Sequence, residues 1–122
     1  MKYRPDITKF QIDNHEIVFV NQFRDTTSGF AHDTTIFYDG CSFAEATCHY
    51  LNRTWECYQY QSVMLKAVNN ALDYYTEDFK ECYMEKHGWK KMTAARRETF
   101  EEYLEKQEII VLLNKLKEKV MG

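Results

Sequence analysis

The run Tyr60-Gln61-Ser62-Val63-Met64-Leu65-Lys66-Ala67-Val68-Asn69-Asn70-Ala71-Leu72-Asp73-Tyr74-Tyr75 divides this chain in two. Its apolar residues Tyr60, Val63, Met64, Ala67, Val68, Ala71, Leu72 and Tyr75 recur in steps of three and four. A helix turns once per 3.6 residues, so that spacing lays one apolar face along its length. The chain before this run reads as strands, and the chain after it as helices.

Upstream, Glu16–Phe23 is rich in β-branched and aromatic residues, which suit a pleated, half-buried surface. Asp25-Thr26-Thr27-Ser28-Gly29 is a cluster of turn-forming residues. Phe30–Tyr38 follows as a second strand. Asp39-Gly40 then gives a short hairpin loop, and Cys41–Leu51 a third strand. A fourth strand is open at Arg53–Tyr58, and a short extra one at Phe10–Ile12. Consecutive strands joined by short turns predict an antiparallel meander.

Downstream, a separate shorter helix is expected over Glu77–Lys86. His87-Gly88 supplies its stop, with Gly in the left-handed position. Thr93 is placed as the N-cap of one long last helix reaching about Val120. Phe100, Tyr103, Leu104, Ile110, Val111 and Leu113 fall on one broad face of that helix. The run Ile109–Leu113 is apolar on every side, which points to the monomer core or to a subunit interface. An N-terminal sheet with its helices segregated behind it is an α+β layer architecture, expected as one domain over residues 1–122.

At 122 residues, the chain is long enough for one modest core. Its 16% aromatic content is high, and Tyr and Trp serve both cores and interfaces. The net charge is −3, unevenly spread. Residues 1–75 hold six basic and nine acidic side chains, and residues 76–122 hold ten of each. That balance argues against a broad basic field for long nucleic acid. The first residues carry no apolar core of signal-peptide length, and no run approaches a membrane span. A cytoplasmic setting with reduced thiols is therefore expected.

Motifs that would name a reaction are missing. Cys41, Cys48, Cys57 and Cys82 form no C-x-x-C pair, and His15, His32, His49 and His87 are scattered, so no structural zinc site is expected. Cys48 and His49 are neighbours, but adjacent strand residues point to opposite faces. His32 and His49 could face one another across a hairpin as a structural pair. The carboxylates of the last helix alternate with lysines, as on a solvated face. The four glycines are isolated, so no phosphate-cradling loop is present. No cofactor is implied, and a non-enzymatic role is expected, with a small enzyme whose site no motif marks as a third reading.

Two basic constellations remain. Arg96 and Arg97 fall in the first turn of a helix, where the dipole favours anions rather than cations. An anionic ligand or an acidic neighbour would explain them. Arg53 sits beside Trp55, and Arg24 ends the first predicted strand, so a meander could bring Arg24 and Arg53 to one edge. The competing explanation for each Arg is a surface ion pair, and for Trp55, Tyr58 and Tyr60 it is sheet–helix packing. Ser28-Gly29 could present a backbone N–H to an anion.

The pattern N-R-T-W-E-x-Y-x-Y-Q-S-x-M-L-x-A (Asn52–Ala67), preceded by S-G-F-A-H-D-T-T (Ser28–Thr35), resembles small proteins encoded by phages and prophages of Gram-positive bacteria. Among phage proteins of this size, the layout resembles the Thoeris anti-defence protein 1 family. That resemblance implies a homodimer or higher homo-oligomer acting in the cytoplasm of an infected bacterium. It implies capture of a cyclic ADP-ribose type signal without cleavage. It also implies that Arg24, Arg53, Arg96 and Arg97 meet the pyrophosphate, while Trp55 or Phe100 stacks on the base. The alternative is a phage-encoded inhibitor that binds an immune effector protein such as a CRISPR nuclease, for which small size and many Tyr are suited.

Overall fold

The computed structural model describes residues 6–27, 29–50 and 60–122. Four strands come first: β1 (Asp6–Ile12), β2 (His15–Thr26), β3 (Gly29–Tyr38) and β4 (Cys41–Tyr50). They form one antiparallel sheet in the order β1-β2-β3-β4. Three helices follow: α1 (Tyr60–His87), α2 (Ala94–Glu105) and α3 (Glu108–Met121). The architecture is α+β, with the helices layered on one face of the sheet.

Burial follows the pleat. On β2, Ile17, Phe19, Asn21 and Phe23 are buried and alternate with more exposed residues. The register pairs Phe19 with Ile36 and Asn21 with Thr34, and β4 adds Ala44 and Ala46 to the same face. Ile12, Ile17, Phe19, Ile36 and Ala46 from the sheet pack with Met64, Ala67, Val68 and Ala71 of α1. Leu112, Leu113, Leu116 and Val120 of α3 close the same cluster. Of the run Ile109–Leu113, Ile110, Leu112 and Leu113 are buried in the monomer, Ile109 is half-buried, and Val111 is 38% exposed.

α1 runs antiparallel to β4 along the edge of the sheet. Lys66 Nζ donates to the Thr47 carbonyl at 2.6 Å, and Asn70 Nδ2 donates to the Glu45 carbonyl at 3.3 Å. These side chains cap carbonyls of β4, the edge strand among the described residues, which would otherwise offer a template for further pairing. A helix of 28 residues is about 42 Å long, and a ten-residue strand about 33 Å. The last turns of α1 therefore pass the Asp39-Gly40 hairpin and project beyond the sheet. There α2 packs against Phe79 and Tyr83 of α1 through Phe100 and Tyr103. α3 then returns antiparallel to α1, and Gln61 Nε2 donates to the carbonyls of Val120 and Met121.

Three boundaries differ from the sequence reading. β1 is a full seven-residue strand rather than a short piece at Phe10–Ile12. The two helices expected over Tyr60–Tyr75 and Glu77–Lys86 are one continuous helix, because Thr76 and its neighbours carry no residue that stops a helix. The long last helix expected from Thr93 is broken instead at Lys106-Gln107. Gln107 takes an extended conformation, and its Nε2 donates back to the Tyr103 carbonyl at 2.9 Å. The break lets Phe100 stay on the projecting end of α1 while Ile110, Leu113 and Leu116 turn back to the core. The strand expected at Arg53–Tyr58 lies outside the described residues.

Candidate functional site

The projecting tip of the molecule, where α1 meets α2, is built by two caps. Gly88 has φ of 67° and ends α1. The Gly88 N–H donates to the Glu85 carbonyl at 3.1 Å, and the Trp89 N–H to the Met84 carbonyl at 2.8 Å. This doubled closure needs a left-handed residue at its centre, which Gly adopts freely. Five residues after Gly88, Thr93 caps α2, its Oγ1 accepting from the Arg96 N–H at 3.3 Å. The N-cap expected at Thr93 is thus present.

These caps hold a layered set of rings. The Trp89 indole stacks on the His87 imidazole with centroids 4.8 Å apart and planes 25° apart. Tyr83 meets the Trp89 edge at 5.5 Å and stacks on Tyr103 at 4.6 Å. The Arg96 guanidinium carbon lies over the Trp89 ring, 5.0 Å from its centroid. Arg96 Nη1 also donates to the Lys91 carbonyl at 3.1 Å. The guanidinium is therefore held from two sides, a cation–π contact and a backbone acceptor.

Charge is concentrated here. Residues 86–97 contain Lys86, Lys90, Lys91, Arg96 and Arg97 and no Asp or Glu. None of these five cations forms an ion pair with a described residue. Lys86, Lys90, Lys91 and Arg97 are exposed. These cations give the tip a local positive charge in a chain whose net charge is −3. The aromatic shell of the tip fixes Arg96.

The sequence-derived site residues do not all meet there. Arg96 and Arg97 do. Phe100 is only 5% exposed and packs against Tyr83, so it supports the tip from beneath rather than offering a ring to a ligand. Arg24 lies near the Thr26–Gly29 hairpin, at the opposite end of the sheet from the tip. Its Nε donates to Asp33 Oδ2 at 2.8 Å, and Thr47 Oγ1 donates to Asp33 Oδ1. Burial pushes the Asp33 carboxyl up, but the hydrogen bonds from Thr47 and Arg24 outweigh it and hold the group below its ordinary value. Ser28, Arg53 and Trp55 lie outside the described residues.

Trp89, Lys86, Lys90 and Lys91 belong to this candidate site and were not singled out from the sequence. A signal existed: five cations without one acid, in a chain otherwise rich in acid.

Other chemistry is thinly represented. His32 is register-paired with Cys48, and His49 with Ala31, so the two histidines are not ladder partners. His32 is buried beside Asn21 and Thr34, with Phe23 stacked on its ring at 4.3 Å. Burial lowers its pKa to about 4, against the opposing charges of Asp33 and Asp6. Among the described residues, no group of three His, Cys, Asp or Glu is placed to hold a metal ion. No helix among them is long and apolar enough to cross a membrane.

The chain matches no protein-family model, and no curated protein or solved structure matches it.

Proposed function

We propose that this chain is a non-enzymatic binding protein that captures a small phosphate-bearing nucleotide at the α1–α2 tip. The observation that carries this reading is the Arg96 guanidinium fixed over Trp89 amid four further cations that no described carboxylate neutralises. A sequestering protein needs affinity and no general acid or base. A cyclic ADP-ribose type signal is the specific ligand this reading names, and a phage anti-defence role would follow from holding it intact. The reading includes a homodimer, supported by the outer sheet face, where Ile7 is 57% exposed beside Val18, Val20 and Phe37.

The test is thermal unfolding with a panel of cyclic and linear nucleotides, followed by heat release and mass analysis of the ligand. A ligand at 100 times its Kd stabilises the fold by roughly 2.7 kcal/mol and is recovered unchanged. Absence of any shift across the panel overturns the reading, and recovery of a cleaved product replaces sequestration with catalysis.

A second reading, inhibition of an immune effector protein, is favoured by one other surface. Asp73, Glu77, Asp78 and Glu81 line a groove on the outer face of α1 with Tyr74, which is 67% exposed. An acidic groove with a central Tyr suits the basic surface of a nucleic-acid-handling enzyme. Co-purification with such an effector that is lost on Glu77→Lys, with nucleotide binding intact, would favour this second reading.

A further inference from the structure

The second surface with built chemistry lies away from the tip, where the β1–β2 turn, the end of β3 and the start of α3 converge. A cleft of about 400 Å³ opens there. That is the size of a small-molecule site, for which roughly 300–1,000 Å³ is usual. Ile109, Val111 and Leu112 give it an apolar floor, and His15, Tyr38, Asp13, Lys106 and Glu108 give it polar walls.

The histidine wall is preorganised. His15 Nδ1 contacts Asp39 Oδ2 at 2.8 Å and the Tyr38 hydroxyl at 2.9 Å. The imidazole also stacks on the Tyr38 ring, with centroids 4.9 Å apart and planes 28° apart. Asp39 is anchored in turn by the Glu16 N–H at 2.9 Å. The hydrogen bonds from His15 and Glu16 hold its carboxyl below the usual range, so it is ionised and orients the ring. Both contacts fall on Nδ1, whose proton goes to the Asp39 carboxylate; Nε2 is free for a ligand and donates to it in the protonated ring.

The charges of the cleft are largely settled among themselves. Asp13 is paired with Lys115 at 3.1 Å, and Asp39 with His15. Glu108 stands in the first turn of α3, where the dipole stabilises a carboxylate. Lys106 has no ion pair among the described residues. The cleft therefore presents one uncommitted ammonium, one oriented imidazole and the Glu108 carboxylate at the α3 start, around an apolar floor. Val111, of the run that is apolar on every side, is 38% exposed and lines this cleft.

We propose that the cleft between the β1–β2 turn and the α2–α3 break binds a small apolar carboxylic acid. Its hydrocarbon body lies on Ile109, Val111 and Leu112, and its carboxylate accepts from the Lys106 ammonium and from Nε2–H of the protonated His15 ring. The site is separate from the α1–α2 tip and does not depend on the nucleotide reading.

The probe is 3-phenylpropionate, titrated into the isotope-labelled full chain and followed by amide resonances. Saturable shifts at His15, Ile109 and Val111 are expected. The alcohol 3-phenylpropanol, which keeps the body and lacks the charge, is expected to bind roughly tenfold more weakly. Lys106→Ala and His15→Phe should each weaken the acid by a similar factor without affecting the alcohol, and Val111→Trp should block both. Lys106 and His15 are surface side chains, so those two variants keep the test valid if Val111→Trp disturbs folding. Absence of saturable shifts overturns the proposal. So does equal binding of acid and alcohol, or acid binding unchanged in the Lys106→Ala and His15→Phe proteins.

Discussion

Arg96 and Trp89 are joined by a cation–π contact of 5.0 Å across the loop between α1 and α2. The contact explains how a flexible cation at a helix start is held in one place. It also separates two roles that composition alone would merge. Trp89 is already covered by His87 on one ring contact and Arg96 on another, so it positions charge.

Removing the ring should therefore weaken the proposed anion capture while the charge count stays the same. A cation–π contact at an exposed site contributes about 0.5–1 kcal/mol, which is roughly two- to five-fold in affinity. Trp89→Leu is expected to lose about that much for a phosphate ligand. Arg96→Lys keeps the charge and loses the planar fork, so a similar loss is expected. Calorimetric titration of both variants checks this.

The two caps of the tip should be felt in stability. Thr93→Ala removes the acceptor for the Arg96 N–H and is expected to cost about 1 kcal/mol. At Gly88 a Cβ would meet nothing within 4 Å, but φ is 67°, so the cost of Gly88→Ala is backbone strain. About 1–2 kcal/mol is expected. Urea midpoints at constant slope measure both changes.

Acid should destabilise the fold through His32. Its folded pKa of about 4 lies below the ordinary 6.5 because burial disfavours the charged ring. The unfolded chain then binds more protons between those values, so stability rises with pH across that window. Stability from this group is complete above pH 6.5, declines as pH falls toward 4, and is gone below it. The full span is roughly 3 kcal/mol. Denaturation midpoints at several pH values should follow this slope, and His32→Gln should flatten it.

The sheet edge offers a fourth test. Lys66→Met and Asn70→Leu remove the donors to the Thr47 and Glu45 carbonyls. Each hydrogen bond contributes about 1 kcal/mol. The double variant should also self-associate more readily, since the β4 carbonyls are then open to pairing. Light scattering against protein concentration reads that directly.

The sequence by itself determined the α+β layering, the meander and the hairpins. It also determined the apolar face of α1 and the caps at Gly88 and Thr93. Each of these follows from periodicity or turn chemistry, which act within a few residues. Tertiary structure decided the rest. Nothing local marks Lys106-Gln107 as a break; α3 turns there because Leu113, Leu116 and Val120 reach the sheet core only by doubling back. Nothing local separates Arg24 from Arg96. The register commits Arg24 to Asp33 at one end of the sheet, while the length of α1 carries Arg96 past the other. Phe100 looked available for stacking, and only the packing of α2 on Tyr83 shows its ring covered. Trp89 acquired its role only when two helix ends folded an arginine over it.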